Sequence, residues 1–190
     1  MNEPIDETVR SVFDFSAELL DGRTIALDQF RGHVLLIVNT ASACGFTPQY
    51  ADLEALHRQF RNRGFAVLGF PSNQFGRQEP GTPAQIGAFC HKNYGVSFPL
   101  FAKIEVNGAR AHPLYRFLKR EKPGIFGFLS RGRIPWNFTK FLTSRCGQVM
   151  ARFSPATQPR SLAGAIDKLL GEPCPQPQPS SRADMRASDL

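Results

Sequence analysis

Two short apolar runs, Val34-Leu-Leu-Ile-Val38 and Phe65-Ala-Val-Leu-Gly-Phe70, constrain this chain more than any other feature. Neither alternates apolar with polar residues, so neither fits a strand with one wet face. A continuous apolar run this short reads as a strand buried on both faces, as parallel sheets require. Helix signals fill the interval between the runs. Thr47 then Pro48 offers a capping hydroxyl and a proline at the first helical position. Leu53, Leu56 and Phe60 follow at helical spacing, and Arg63-Gly64 ends the element. The second run stops at Pro71. Thr82-Pro83 opens another helix, whose apolar stripe is Ile86, Phe89, Cys90 and Tyr94. Residues 138–143 and 148–153 flank Arg145-Cys146-Gly147, as in an antiparallel hairpin. A last helix follows Pro159, with Leu162, Ile166, Leu169 and Leu170 on its buried side, and it stops at Gly171 and Pro173. This order predicts an α/β fold with a central mixed β-sheet flanked by α-helices.

The 190 residues fit one domain. It is expected over 11–171, after an N-terminal extension over 1–10 and before a Pro-rich tail over 172–190. The tail's alternating prolines leave little to bury, so it reads as disordered. A chain of this length buries a core without disulfide staples. Its four cysteines, Cys44, Cys90, Cys146 and Cys174, form no C-x-x-C pair and no disulfide framework. Cys174 reads as an incidental exposed thiol, and Cys146 as a turn residue with no role. The histidines are dispersed, and no grouping has zinc-site spacing. No apolar run approaches the about 18 residues of a membrane span. The start is acidic (Glu3, Asp6, Glu7), unlike a signal peptide. The expectation is a soluble cytoplasmic protein with reduced thiols and no metal or other cofactor.

The net charge is +7, with acids concentrated before Asp21 and an excess of cations in the body. The densest basic stretch holds Arg116, Lys119, Arg120, Lys122, Arg131 and Arg133 against Glu121. Such a stretch is either a solvated face or an attractor for anionic lipid, nucleic acid or an acidic partner. No recognition helix, zinc finger or RNA-binding signature accompanies it, so nucleic acid is not an expected partner.

Cys44 is the first candidate for chemistry, because it lies between a buried strand and a helix start. Unpaired amides at a helix start favour negative charge, and so a thiolate. The competing reading is a small buried hydrophobe. Three stretches then carry a resemblance: Asn39-Thr-Ala-Ser-Ala-Cys-Gly-Phe-Thr47, Gly69-Phe-Pro-Ser-Asn-Gln-Phe-Gly-Arg-Gln-Glu-Pro-Gly81 and Trp136-Asn-Phe-Thr-Lys-Phe141. Phe89-Cys-His-Lys-Asn-Tyr-Gly-Val96, Val106-Asn-Gly108 and Pro113-Leu-Tyr115 fill the intervals in order. From about residue 11 to 170 the chain resembles the glutathione peroxidase family, in its cysteine-containing, thioredoxin-dependent branch.

That resemblance implies a thioredoxin-like fold and four catalytic positions, matched here by Cys44, Gln78, Trp136 and Asn137. The chemistry is coherent. Thiolate attack on a peroxide builds charge on oxygen, and an indole N–H and two amide N–H₂ groups are donors suited to it. Singly, each residue has a bland alternative: Trp136 filling the core, Gln78 in a turn, Asn137 as a cap. The resemblance also implies a resolving role for Cys90, which would condense with a Cys44 sulfenic acid before reduction by thioredoxin. Cys90 lies on an apolar helix face, so its helix must partly unwind for the two sulfurs to bond. Left open are direct reduction by glutathione with Cys90 structural, and a peroxide sensor that relays oxidation to a partner protein. Ser72 replaces a cysteine common in relatives. The stretch between Lys119 and Trp136 is short and lacks the extended loop that tetrameric relatives use for assembly, so the resemblance implies a monomer. The basic stretch, adjoining Trp136 in sequence, is expected to steer anionic partners, including lipid hydroperoxides in acidic membranes.

Overall fold

The computed structural model describes residues 10–124 and 132–174. In chain order the strands are β1 (Ser16–Glu18), β2 (Thr24–Ala26), β3 (Val34–Thr40), β4 (Phe65–Pro71), β5 (Lys140–Thr143) and β6 (Val149–Phe153). The α-helices among the described residues are α1 (Gln49–Phe60), α2 (Pro83–Tyr94), α3 (Pro113–Glu121) and α4 (Ala163–Gly171). The two apolar runs are β3 and β4, paired parallel from Val34 opposite Phe65 to Thr40 opposite Pro71. β5 pairs antiparallel with β3, and β6 with β5, giving a mixed sheet in the order β4-β3-β5-β6. β1 and β2 form a separate small hairpin.

The absence of alternation in β3 now has a physical account. Val34, Leu36 and Val38 enter one apolar cluster with Leu53, Leu56 and Phe60 of α1 and Ile166 of α4. Leu35 and Ile37 enter the other, with Leu114, Tyr115, Phe117 and Leu118 of α3. Successive strand side chains point to opposite faces, so a sheet covered on both sides needs apolar residues at every position. All seven residues of β3 and all seven of β4 are buried.

The α2 start is as expected. Thr82 Oγ1 accepts from the Gln85 amide, Gln85 reaches back to the Thr82 amide, and Pro83 takes the first helical position. The sequence reading missed α3 and the β1–β2 hairpin. In α3, His112 accepts from the Leu114 amide and Pro113 starts the helix, so both signals were present.

One expectation is overturned. Cys146, in the β5–β6 turn, and Cys174, three residues beyond α4, are joined in a disulfide, so neither is a free thiol. The turn that seemed to leave Cys146 without a role presents it to the end of α4. Its neighbour Arg145 anchors the same junction, donating to the carbonyls of Leu170, Arg63 and Gly32. The tail is therefore tied to the domain as far as Cys174. The expectations for 1–9, for 175–190 and for Arg131 lie outside the described residues.

Arg152 of β6 makes a comparable clamp elsewhere. Its guanidinium donates to the carbonyls of Pro123 and Gly132 at 2.9 Å, Arg133 at 2.8 Å and Lys122 at 3.3 Å. No helix of the described residues is long and apolar enough to cross a membrane.

Candidate active site

Cys44 lies in the loop that joins the C-terminal end of β3 to α1. Thr47, expected to cap the helix, does something else. Backbone turns already satisfy the first amides: Gln49 donates to Phe46, Tyr50 to Thr47 and Ala51 to Pro48. The Thr47 hydroxyl is thus available to the loop, accepting from the Cys44 amide at 2.9 Å and donating to the Ala41 carbonyl at 2.9 Å. It fixes the backbone of the cysteine itself. The Cys44 Sγ accepts from the Phe46 amide at 3.4 Å, and the residue is 8% exposed. A thiol so placed is held from behind and open on one side.

Gln78 arrives from the loop after β4. Gly76 and Arg77 have φ of 62° and 54°, so the chain turns sharply, and the Gln78 amide closes on the Phe75 carbonyl at 3.3 Å. The Gln78 carbonyl accepts from the Ala43 amide at 3.0 Å, which binds this turn to the cysteine loop. Gln78 is indeed a turn residue, but its turn is docked beside Cys44.

Trp136 and Asn137 arrive from the segment before β5. Asn39, at the end of β3, donates from Nδ2 to the Trp136 carbonyl at 3.2 Å and accepts the Phe138 amide at its own carbonyl at 2.6 Å. Phe138 adopts φ 61°, a left-handed conformation costly for a bulky residue. Lys140, fully buried, sustains it by donating from Nζ to the Phe138 carbonyl at 2.8 Å. The same ammonium reaches the Pro155 and Ser154 carbonyls at 3.2 and 3.4 Å, and burial pushes it down to about 7. Asn137, fully buried and at no helix start, donates from Nδ2 to Gln78 Oε1 at 3.1 Å. With its oxygen engaged, Gln78 presents its amide N–H₂ as the donor. Trp136 is 38% exposed and packs against Phe75 at 5.8 Å between ring centroids, so it is not a core filler.

The structure thus gathers Cys44, Gln78, Trp136 and Asn137 at one end of β3, from stretches far apart in the chain. The sequence reading assigned no role to Asn39 or Lys140 and gave Thr47 only a helix cap, although all three lie within the quoted motifs. Their residue types give no sign that they bond to backbone carbonyls and amides of the loops.

Cys90 lies beneath this site on α2, fully buried in the same apolar cluster as Cys44, and both thiols are free. Burial pushes the Cys90 thiol up to about 11; the Tyr50 hydroxyl pulls against that, and the Glu79 charge adds to it. Next along the cysteine loop, a groove of ≈ 250 Å³ is lined by Gly45, Phe46, Pro48, Gln49, Asp52, Gln158 and Arg160. Among the described residues no cluster of His, Cys, Asp and Glu has the makings of a metal site.

A mixed sheet with a free cysteine between a central strand and a helix start defines a thiol enzyme of thioredoxin-like fold. Solved structures agree. A thiol:disulfide interchange protein from Chlorobium tepidum is 17% identical with a TM-score of 0.59, covers 86% of this chain and 99% of its own, and shows the fold alone. The crystal structure of T. cruzi GPX1 is 39% identical with a TM-score of 0.71, over 85% of this chain and 97% of that one. The glutathione peroxidase family model matches residues 12–119. The hydroperoxy fatty acid reductase gpx1 of Synechocystis is 55% identical, covering 84% of this chain and 96% of the relative. The glutathione peroxidase-like peroxiredoxin HYR1 of Saccharomyces cerevisiae is 52% identical, over 80% and 91% respectively. The chain belongs to the glutathione peroxidase family and is a peroxidase.

Proposed function

We propose that the protein is a two-cysteine thiol peroxidase acting on hydrogen peroxide and organic or lipid hydroperoxides, recycled by thioredoxin. The Cys44 thiolate attacks the peroxide O–O bond, forming a sulfenic acid and releasing water or an alcohol. The donors at the developing oxygen charge are the Gln78 amide, oriented by Asn137, and the Trp136 indole. Preorganised donors of this kind lower the barrier because they need no rearrangement as charge forms. The single observation that carries this reading is the Asn137–Gln78 hydrogen bond. It couples the second and third motifs, while the Gln78–Ala43 backbone bond ties both to the cysteine loop.

Cys90 then displaces the Cys44 hydroxyl to give a Cys44–Cys90 disulfide, which thioredoxin reduces. The construction of α2 supports this. The helix buries Ile86 and Cys90, leaving the rest of its length partly or fully exposed. A segment with so few buried contacts opens locally at low cost. Names of relatives agree on the substrate class: one is a hydroperoxy fatty acid reductase, another a peroxiredoxin.

Steady-state peroxide consumption with thioredoxin and its reductase, against glutathione, tests the reading. The expected result is faster turnover with thioredoxin, and loss of that turnover in Cys90→Ser. Faster turnover with glutathione defeats it, as does undiminished thioredoxin activity in Cys90→Ser. We place the enzyme, as a monomer, in a compartment that holds thioredoxin, such as the cytoplasm. The basic stretch from Arg116 is proposed to favour anionic membranes. Activity on peroxidised liposomes then rises with anionic lipid and falls with salt.

A further inference from the structure

Glu54 is a buried carboxylate that the mechanism does not use. It sits on α1 with its side chain 6% exposed. The Ser97 amide donates to Oε2 at 2.8 Å, and the Ser97 hydroxyl donates to Oε1 at 2.7 Å. Arg58 Nε, one helical turn along, also donates to Oε1. Burial opposes the charge, yet the Ser97 amide, the Arg58 guanidinium and the Ser97 hydroxyl together hold the carboxyl below its ordinary range. Arg58 extends the hold, donating from Nη2 to the Gly95 carbonyl at 3.3 Å. α1 therefore grips Gly95 and Ser97, the residues on either side of Val96.

The gripped residues close the last turn of α2. Gly95, at φ 59°, reverses the chain, and its amide caps the His91 and Cys90 carbonyls. The Val96 amide donates to the Cys90 carbonyl at 3.3 Å. The backbone of the thiol that must move is thus bonded to a segment that α1 holds through a charge. The rest of α2 is held lightly: residues 82–85 are exposed, and along the helix only Ile86 and Cys90 are buried. Hydrogen bonds to an ionised group are roughly twice as strong as neutral ones, so this end is the stronger hold.

We propose that Glu54 is a latch, a positioning residue that sets the rate at which α2 releases Cys90 to the Cys44 sulfenic acid. The inference rests on the resolving role of Cys90 given above. Carrying Cys90 toward Cys44 means giving up its carbonyl's bonds to Gly95 and Val96, and the grip on Gly95 and Ser97 holds that turn closed. The chemistry that follows is the resolving step already described. The Cys90 sulfur bonds to the Cys44 sulfur, and the displaced hydroxyl leaves with the Cys90 proton as water. Glu54 acts on it only through the helix. A second fate of the sulfenic acid depends on the same latch. While α2 stays closed, another hydrogen peroxide molecule can oxidise the sulfenic acid to sulfinic acid, being itself reduced to water. The Glu54 grip therefore fixes the peroxide concentration at which the enzyme inactivates.

Single-turnover kinetics with Glu54→Gln, which keeps the side-chain shape and removes the charge, separates the steps. Reduced enzyme is mixed with one equivalent of hydrogen peroxide. Cys44 oxidation and disulfide formation are followed by quenched thiol alkylation, with dimedone trapping of the sulfenic acid. Cys44 oxidation keeps its wild-type rate, while disulfide formation quickens by about 10-fold, the low end of what one hydrogen bond to a charged group is worth. Ser97→Ala, at an exposed position, removes the hydroxyl bond alone and quickens it by about 3-fold. Under turnover with thioredoxin, the peroxide concentration that half-inactivates the enzyme rises by the same factor in each variant. Loosening of the fold alone would not speed one step and spare the other. Should Glu54→Gln not fold, Ser97→Ala decides. Disulfide formation at or below the wild-type rate in the folded variants overturns the latch, as does quicker resolution with no gain in peroxide tolerance. Absence of any Cys44–Cys90 disulfide in wild type instead overturns the two-cysteine cycle itself, and this proposal with it.

Discussion

The Cys146–Cys174 disulfide makes a sharp prediction, because its effect is large and its place is remote from Cys44. The bond closes a loop with a sequence separation of 28, which contains β6 and α4. On the chain-entropy account, a loop of that length removes enough freedom from the unfolded chain to stabilise the native state by about 3.6 kcal/mol at 25 °C. For a domain of this size that corresponds to roughly 7–14 °C in Tm. Arg145 still holds the Leu170 carbonyl when the sulfur bridge is gone, so α4 stays docked and the loss is expressed through the unfolded state. The assay is urea unfolding of Cys146→Ser, Cys174→Ser and the double variant, all in a Cys44→Ser background so that no other disulfide intervenes. Each single variant should lose the full amount, and the double variant no more. With Cys44 restored, peroxide consumption should be unchanged, since the bridge lies by the Gly32 end of β3 and Cys44 lies beyond the other end. A loss under about 1 kcal/mol, or single losses that add in the double variant, would falsify the cross-link as the source of the stability.

Trp136→Phe should lower the second-order rate with peroxide by about 100-fold, the scale for one lost oxyanion donor. Its Tm should change little, because the ring is 38% exposed; stopped-flow oxidation and calorimetry check both. Thr82→Ala removes the reciprocal cap of α2 at a cost of about 1 kcal/mol. Where helix opening limits resolution, disulfide formation should quicken by up to about 5-fold in a quench experiment. Lys140 ionises in the folded state at about 7, below its ordinary 10.5. The unfolded chain therefore binds more protons between those values, and stability should rise with pH across that window. Denaturant titrations should show this slope in wild type and its loss in Lys140→Met; an equal slope in both would exclude Lys140 as its origin.

What was legible in the sequence followed the strength of the local signal. β3 and β4 announce themselves because both faces of a covered sheet must be apolar. Thr82-Pro83 announces α2 because cap and proline act within one turn. Thr47 carries the same signal, yet its hydroxyl serves the cysteine loop, since the helix start was already satisfied by backbone. The local difference is the third residue after the threonine: Gln85 completes a capping box with Thr82, and Tyr50 cannot do so with Thr47. α3 went unread because Arg116, Lys119 and Arg120 were read as part of a basic stretch, although its apolar positions face one way. Cys44 stood out by its place before a helix start, but the rest of the candidate site was legible only through resemblance: Gln78, Trp136 and Asn137 have no local feature that brings them to the cysteine loop. The bonds that do so run from Asn39 and Ala43, across long sequence separations. The Cys146–Cys174 pair was invisible for the same reason, as pairing depends on where α4 ends in space.

The Arg152 clamp also bears on how this family can vary. One guanidinium holds Lys122 and Pro123 on one side and Gly132 and Arg133 on the other, so the two ends of the intervening excursion are pinned together. Lengthening a loop whose ends are already fixed costs only about 0.6 kcal/mol per doubling. Residues added between the pinned ends would then leave Trp136 in place. Descent with insertion at this point can create new contact surfaces, or an engineer can graft a peptide there, while the peroxide chemistry a few residues downstream is left undisturbed.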